Sequence, residues 1–381
     1  MKSSGILFCG GGTGGHVFPG LAVAERLRAG GESDLRWVGD PQRIEATLVP
    51  GRGIPLIPHG LSRPRPWNPR WILRSAVTAW RLWRELTTRP PRAIVALGGY
   101  AALLPGLMAP LLRRPLVVME QNARSGRTNR LLGRFARRIV TQFDEAAIGL
   151  PAHRVRQLGN PVRPIPRRVR GTAPTLTVLV VGGSLAAKTL NDLVALAAAQ
   201  LAAIPGLKVV HVAGAQDAGR VSAIYRGAGV DAEVLDFVAD MPALYDRIDL
   251  AVTRAGATTV AELCSAGIGA LYVPLPWAAD DHQTANAASV AAAGGAEVLP
   301  QATTTPAMMA ARLTALAADR ATVTAMGAAA ARLARPGAAD AVAALVSGLA
   351  GRSPAARRAA ARLRWQRRPS TNDRTSAPAH P

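Results

Sequence analysis

CGGGTGGHVFPGLAVA, residues 9–24, closes an apolar run, GILFCG (5–10), and opens a helix-like pattern near 19–29. Five glycines stand before His16. Glycine accepts positive φ angles and leaves its amide N–H uncovered. A helix start adds partial positive charge, so a strand, a glycine turn and a helix together form a cradle for a phosphate. Gly10, Gly12 and Gly15 also fit the dinucleotide fingerprint, with Asp40 at the end of the next strand as its ribose acid. That fingerprint is weak by itself, and a purely structural tight turn is a third reading. All three agree on the fold: a strand feeding a helix in a parallel sheet.

The unit recurs. Strand-like runs follow at DLRWVG (34–39), AIVALGG (93–99), PLVVMEQ (115–121) and RRIVTQF (137–143), separated by helical patterns. GNPVRPIPRRVRG (159–171), dense in proline and arginine, reads as a linker. The pattern restarts with TLTVLVVGGS (175–184), a helix, and strands at 207–214, 232–237, 250–256 and 270–276. The expected class is α/β, with two parallel-sheet domains over residues 1–163 and 164–350. A basic tail, 351–381, is expected to be disordered.

Composition narrows the function. The 381-residue chain carries a net charge of +22, and only Lys2, Lys188 and Lys208 among its cations are lysines. Such an excess favours an anionic partner: a phosphorylated substrate, an anionic lipid or nucleic acid. No RNA or DNA module is visible, so nucleic acid is not expected. Cys9 and Cys264 sit in apolar runs and suggest neither a disulfide framework nor a metal site. The N-terminus lacks a signal-peptide run, and no stretch reaches the roughly 18 apolar residues of a membrane span. A cytosolic chain is expected.

Three stretches carry chemistry. In TRAGATTVAELCSAG (253–267) a strand passes through Gly256 into a helix. The amides of Ala257, Thr258 and Thr259 would be free for a diphosphate, and Glu262, one turn on, could accept from a ribose. The structural alternative is a capping box, Thr259 with Glu262. In VPLPWAADDHQTANA (273–287), Gln283 and Asn286 share a helix face and suit sugar hydroxyls. Asp280 and Asp281 read as acids answering the helix dipole, and no metal is expected. LGGY (97–100) and MEQNARSGRTNRLLG (119–133) each follow a strand, whose end faces the ligand crevice of a parallel sheet. Tyr100, Glu120, Gln121, Asn122, Thr128 and Asn129 are therefore candidate acceptor contacts.

RPRPWNPRWILRSAVTAWRLWRELTTRPPR (63–92) interleaves Trp67, Trp71, Trp80 and Trp83 with arginines. Such a mixture suits a membrane interface, where an apolar body meets anionic head groups. A buried helix face with a solvated basic face is the alternative.

In this order, from about residue 5 to 345, the motifs resemble those of the MurG family. They include GGTGGHVFPGLAVA, LGGY, EQNARSGRTNRLLG, GNPVR, GGSLAAKTLN, DFVADMPALYDRIDLAVTRAGATTVAE and PLPWAADDHQTANA. The resemblance implies a GT-B fold and a peripheral enzyme on the cytoplasmic face of the bacterial plasma membrane. It implies transfer of N-acetylglucosamine from UDP-N-acetylglucosamine to the C4 hydroxyl of lipid I, with inversion and without a cofactor, giving lipid II. By motif match, Phe237 and Val238 would hold uracil, Ala257, Thr258 and Thr259 the diphosphate and sugar, and Glu262 the ribose. Gln283 and Asn286 would read the sugar, with Ser184 and Arg163 near the phosphates. Thr13, Gly14 and Gly15 would face the lipid pyrophosphate, with Tyr100 and Asn122 nearby. His16 is the first candidate for the general base and Glu120 the second.

Other cell-wall synthesis proteins are expected partners. Met119 stands where the family often has histidine, Ala186 where it has glycine, and Ser125 where a small residue or proline is common. Rival readings are a transferase with another lipid acceptor, a UDP-sugar 2-epimerase and a non-catalytic UDP-sugar-binding protein.

Overall fold

The computed structural model describes residues 4–59, 67–166, 175–183 and 187–351. The first sheet contains β1 (Ser4–Cys9), β2 (Leu35–Gly39), β3 (Leu56–Pro58), β4 (Pro91–Ala96), β5 (Leu116–Glu120), β6 (Arg138–Thr141) and β7 (Val155–Gln157). The second contains β8 (Leu176–Val181), β9 (Leu207–Val212), β10 (Ala232–Leu235), β11 (Leu250–Thr253), β12 (Gly269–Tyr272) and β13 (Ala296–Val298). Their orders are β3-β2-β1-β4-β5-β6-β7 and β10-β9-β8-β11-β12-β13, and every recorded pairing is parallel. Chain order reverses between β1 and β4 and again between β8 and β11, and such switch points open crevices at the strand ends.

Helices cover both faces of each sheet. This is why β2, β4 and β5 are buried along their whole length and are apolar apart from Arg36, Arg92 and Glu120. Trp37 is fully buried and stacks on Phe8 with ring centroids 5.3 Å apart. Its Nε1 donates to the Gly10 carbonyl at 2.8 Å, which ties the first core to the glycine turn. Cys9 and Cys264 are buried free thiols.

The last helix, Ala338–Ala350, departs from the expected division at residue 163. Its Val342, Ala343 and Val346 join the core formed by Ile6, Phe8, Val17 and Leu21 of the first domain. Helical periodicity marked this segment as amphipathic, but periodicity does not say which sheet an apolar face covers. The basic tail beyond 351 and the arginines at 167–170 lie outside the described residues.

Candidate active site

The glycine turn after β1 leads into the helix Gly14–Ala29, whose N-cap, Thr13, makes no side-chain cap. Part of the turn is filled from within the chain. Glu45, fully buried, accepts from the Gly12 amide at 3.1 and 2.9 Å and from the Asp40 amide at 3.1 Å. A Cβ on Gly11 would lie 2.0 Å from the Glu45 carboxylate, so glycine is required there for space. The part of the turn that Glu45 leaves open is the helix start at Thr13, Gly14 and Gly15.

His16 sits one turn in. Its Nδ1 lies 3.2 Å from the Gly11 carbonyl, which can only accept, so in the neutral ring Nδ1 carries the proton and Nε2 keeps its lone pair. The first glycine of LGG packs against this ring: a Cβ on Gly98, whose φ is +102°, would stand 3.0 Å from Nε2. Burial lowers the His16 pKa below the ordinary histidine value, against the opposing pull of Glu120 and the Gly11 carbonyl.

Glu120, at the end of β5, is different from its expected role. It is buried and accepts four hydrogen bonds, from the Asn122 amide (3.0 Å) and Nδ2 (3.1 Å), the Gly126 amide (2.9 Å) and Asn129 Nδ2 (2.8 Å). These donors occupy the lone pairs that a general base would offer. Glu120 braces the 121–126 loop, which corrects its reading as a second base. Tyr100 is exposed at the start of its helix beside Gly99.

In the second domain, the helix Ala257–Ala266 starts after Gly256 with no side-chain cap. The capping-box alternative fails because the Glu262 carboxylate instead accepts from Tyr245 Oη at 2.9 Å and pairs with Arg163 Nε at 3.6 Å. The first-turn amides of Ala257, Thr258 and Thr259 are left as a second anion cradle at the β8–β11 switch point. Burial raises the Glu262 pKa, opposed by Tyr245 and Arg163. Phe237 is 80% exposed, with its ring free, while Val238 packs partly into the core. Gln283 Oε1 accepts from the Leu275 amide at 3.0 Å. Ser184 lies outside the described residues.

Among the described residues, Asn286 and Asp280 each reach across the cleft. Asn286, fully buried, accepts from the Ala123 amide at 2.7 Å and donates to Asn122 Oδ1 at 3.2 Å and to the Ala255 carbonyl at 3.0 Å. Its amide hydrogens are both committed, so this side chain ties the domains where a sugar reader was expected. Asp280 pairs with Arg127 of the first domain at 3.3 Å, so this acid answers a guanidinium. Glu45 and Tyr245 escaped the sequence reading. Each lies far along the chain from the group it serves, and no local pattern marks it.

The helix Pro69–Thr88 is capped by Asn68, whose side chain accepts from the Arg70 and Trp71 amides. Only Leu82 and Leu86 are buried along it. Trp67, Ile72, Leu73, Val77, Trp80 and Trp83 are exposed, and Arg84 lies over the Trp80 ring at 5.8 Å. Among the described residues no helix is long and apolar enough to cross a membrane.

Two Rossmann-type domains, each with an uncapped helix start at its switch point, make the GT-B architecture. Residues 6–141 match the glycosyltransferase family 28 N-terminal domain and residues 177–342 its C-terminal domain. An Aeromonas hydrophila protein is 43% identical over 354 residues, covering 90% of this chain and 96% of its own. A Bordetella parapertussis protein is 44% identical over 317 residues, covering 80% and 87%. Both are named UDP-N-acetylglucosamine–N-acetylmuramyl-(pentapeptide) pyrophosphoryl-undecaprenol N-acetylglucosamine transferase. The crystal structure of Acinetobacter baumannii MurG superposes with a TM-score of 0.77 at 35% identity, covering 91% of this chain and 99% of that one. A Listeria monocytogenes structure described as a UDP-N-acetylglucosamine 2-epimerase, TM-score 0.63 at 13% identity, shares the fold alone. The chain belongs to the MurG family.

Proposed function

We propose that the chain moves N-acetylglucosamine from UDP-N-acetylglucosamine to the C4 hydroxyl of the N-acetylmuramyl group of lipid I, forming lipid II for peptidoglycan. The observation that carries this reading is the pair of uncapped helix starts, one per domain, which offers two diphosphate cradles in a single cleft. One suits a nucleotide and the other a lipid pyrophosphate. Ala257, Thr258 and Thr259 hold the donor diphosphate, Glu262 the ribose, Phe237 and Val238 the uracil, and Gln283 the sugar through its Nε2. Thr13, Gly14 and Gly15 hold the acceptor pyrophosphate, with Tyr100 and Asn122 at the rim.

The acceptor C4 oxygen attacks the anomeric carbon on the face opposite UDP. The new C–O bond forms as the bond to the β-phosphate oxygen breaks, and its electron pair leaves with UDP. The hydroxyl proton passes to His16 Nε2, whose free lone pair and lowered pKa suit a neutral base. Arg163 and the helix amides offset the charge that grows on the leaving phosphate.

The helix Pro69–Thr88 docks the enzyme on the anionic cytoplasmic leaflet, through Trp67, Trp71, Trp80, Trp83 and the arginines between them. Its exposed apolar side chains support this reading. The test is incubation with labelled donor and a lipid I analogue. Acceptor-dependent transfer with release of UDP is expected; donor binding without transfer would sink the reading.

A further inference from the structure

We infer that the hinge between the domains carries a further anion site, adjoining the donor side at Arg163 but centred on Asn160 and Arg335, that takes a small phosphate monoester. A cavity of about 370 Å³ lies where the linker passes between the domains. Arg26 of the first helix, Asn160 and Arg163 of the linker, Ser265 of the second domain, and Arg335 and Asp340 beside the last helix all line it.

Three guanidinium groups face one carboxylate, so the lining favours an anion. Arg26 pairs with Asp340 at 3.4 Å and Arg163 with Glu262 at 3.6 Å. Arg335 has no ion-pair partner among the described residues. The planar fork of arginine matches phosphate oxygens two at a time. The helix Ala338–Ala350 also begins in the cavity wall. Its N-cap is Gly337, the Ala338 amide donates to the Arg335 carbonyl at 3.2 Å, and Asp340 stands in its first turn.

Asn160 points to a ligand independently. It is only 5% exposed, lines the cavity, and neither Nδ2 nor Oδ1 has a hydrogen-bond partner among the described residues. A buried amide in that state calls for a partner that both donates and accepts, which is what a hydroxyl does. The volume exceeds that of a phosphate ion, and much of the remaining wall is alanine, proline, valine and isoleucine. Arginines in excess of carboxylate and one buried, unpartnered amide over an apolar floor fit a phosphate ester on a small hydroxylated body.

The test is calorimetric titration of the full chain, first saturated with UDP so that the donor cradle is closed to phosphate. Glucose 6-phosphate, inorganic phosphate and glucose are the probes. Glucose 6-phosphate should bind one equivalent more tightly than inorganic phosphate, while glucose gives no heat. Arg335→Ala should weaken that binding by about tenfold or more and leave the affinity for UDP unchanged. Asn160→Leu should weaken glucose 6-phosphate more than inorganic phosphate. Absence of binding once UDP is present, or full-strength binding by Arg335→Ala, overturns the proposal. Equal affinity for the ester and the free ion overturns its assignment to an ester.

Discussion

His16 keeps its Nε2 lone pair because Nδ1 is engaged by the Gly11 carbonyl, and burial favours the neutral ring. A neutral base is lost as pH falls through its pKa in the folded enzyme. The acid limb of the kcat profile should therefore lie below the free histidine value of about 6.5. His16→Ala should lower kcat by about 10²–10⁴ and remove that limb, with UDP affinity unchanged. A retained limb in steady-state rates across pH would assign the proton transfer elsewhere. Glu262→Ala should act on the other side of the reaction, raising the donor KM more than it lowers kcat, because ribose contacts are made in ground and transition states alike. Sequence gave access to both residues through their motifs. It could not separate His16, in the first turn of the helix after the glycine loop, from Glu120 at a strand end, and only the four donors around Glu120 show that its lone pairs are spent.

At the scale of elements, strands were legible because burial on both faces leaves no polar alternation to confuse, as in IVA of β4 and VVM of β5. The two helix starts were legible because glycine precedes each. Contacts that depend on assembling distant elements were not. Glu45 occupies the glycine turn from the start of the short helix Glu45–Leu48 beyond β2, and Asn286 reaches out of its own domain to the loop after β5. Asn286→Ala removes a buried tie between domains, which on typical hydrogen-bond costs of about 1–3 kcal/mol should slow turnover roughly ten- to a hundredfold. Single-turnover rates would reveal it, and an unchanged rate would deny the tie any part in closure.

A second element-scale effect lies away from the cleft. His211 on β9 bonds the Tyr225 hydroxyl (2.8 Å) and Asn191 Oδ1 (3.0 Å), and burial holds its pKa down at about 4. Between pH 6.5 and 4 the unfolded chain binds a proton that the folded chain refuses. Stability from this group is complete above about 6.5 and falls by about 3 kcal/mol as pH approaches 4. Thermal unfolding of His211→Gln should show a flatter pH dependence in that window.

For the whole molecule, the net charge of +22 and the exposed tryptophan-bearing helix act together. Each cation near an anionic surface adds about 1 kcal/mol, and aromatic rings add apolar burial. Flotation with vesicles containing acidic lipid should recover the protein, and neutral vesicles or the variant Trp80→Ser with Trp83→Ser should recover much less. Equal recovery from both lipids would count against docking through this face.

The last helix sets a schedule for biosynthesis. Val342, Ala343 and Val346 complete a core begun by Ile6 and Phe8. During translation the first domain therefore leaves the ribosome with an open apolar seam, and it stays open until residues 338–350 have been made. A message cut short before codon 338 would yield a product whose second sheet is whole but whose first is left for chaperones and proteases to handle.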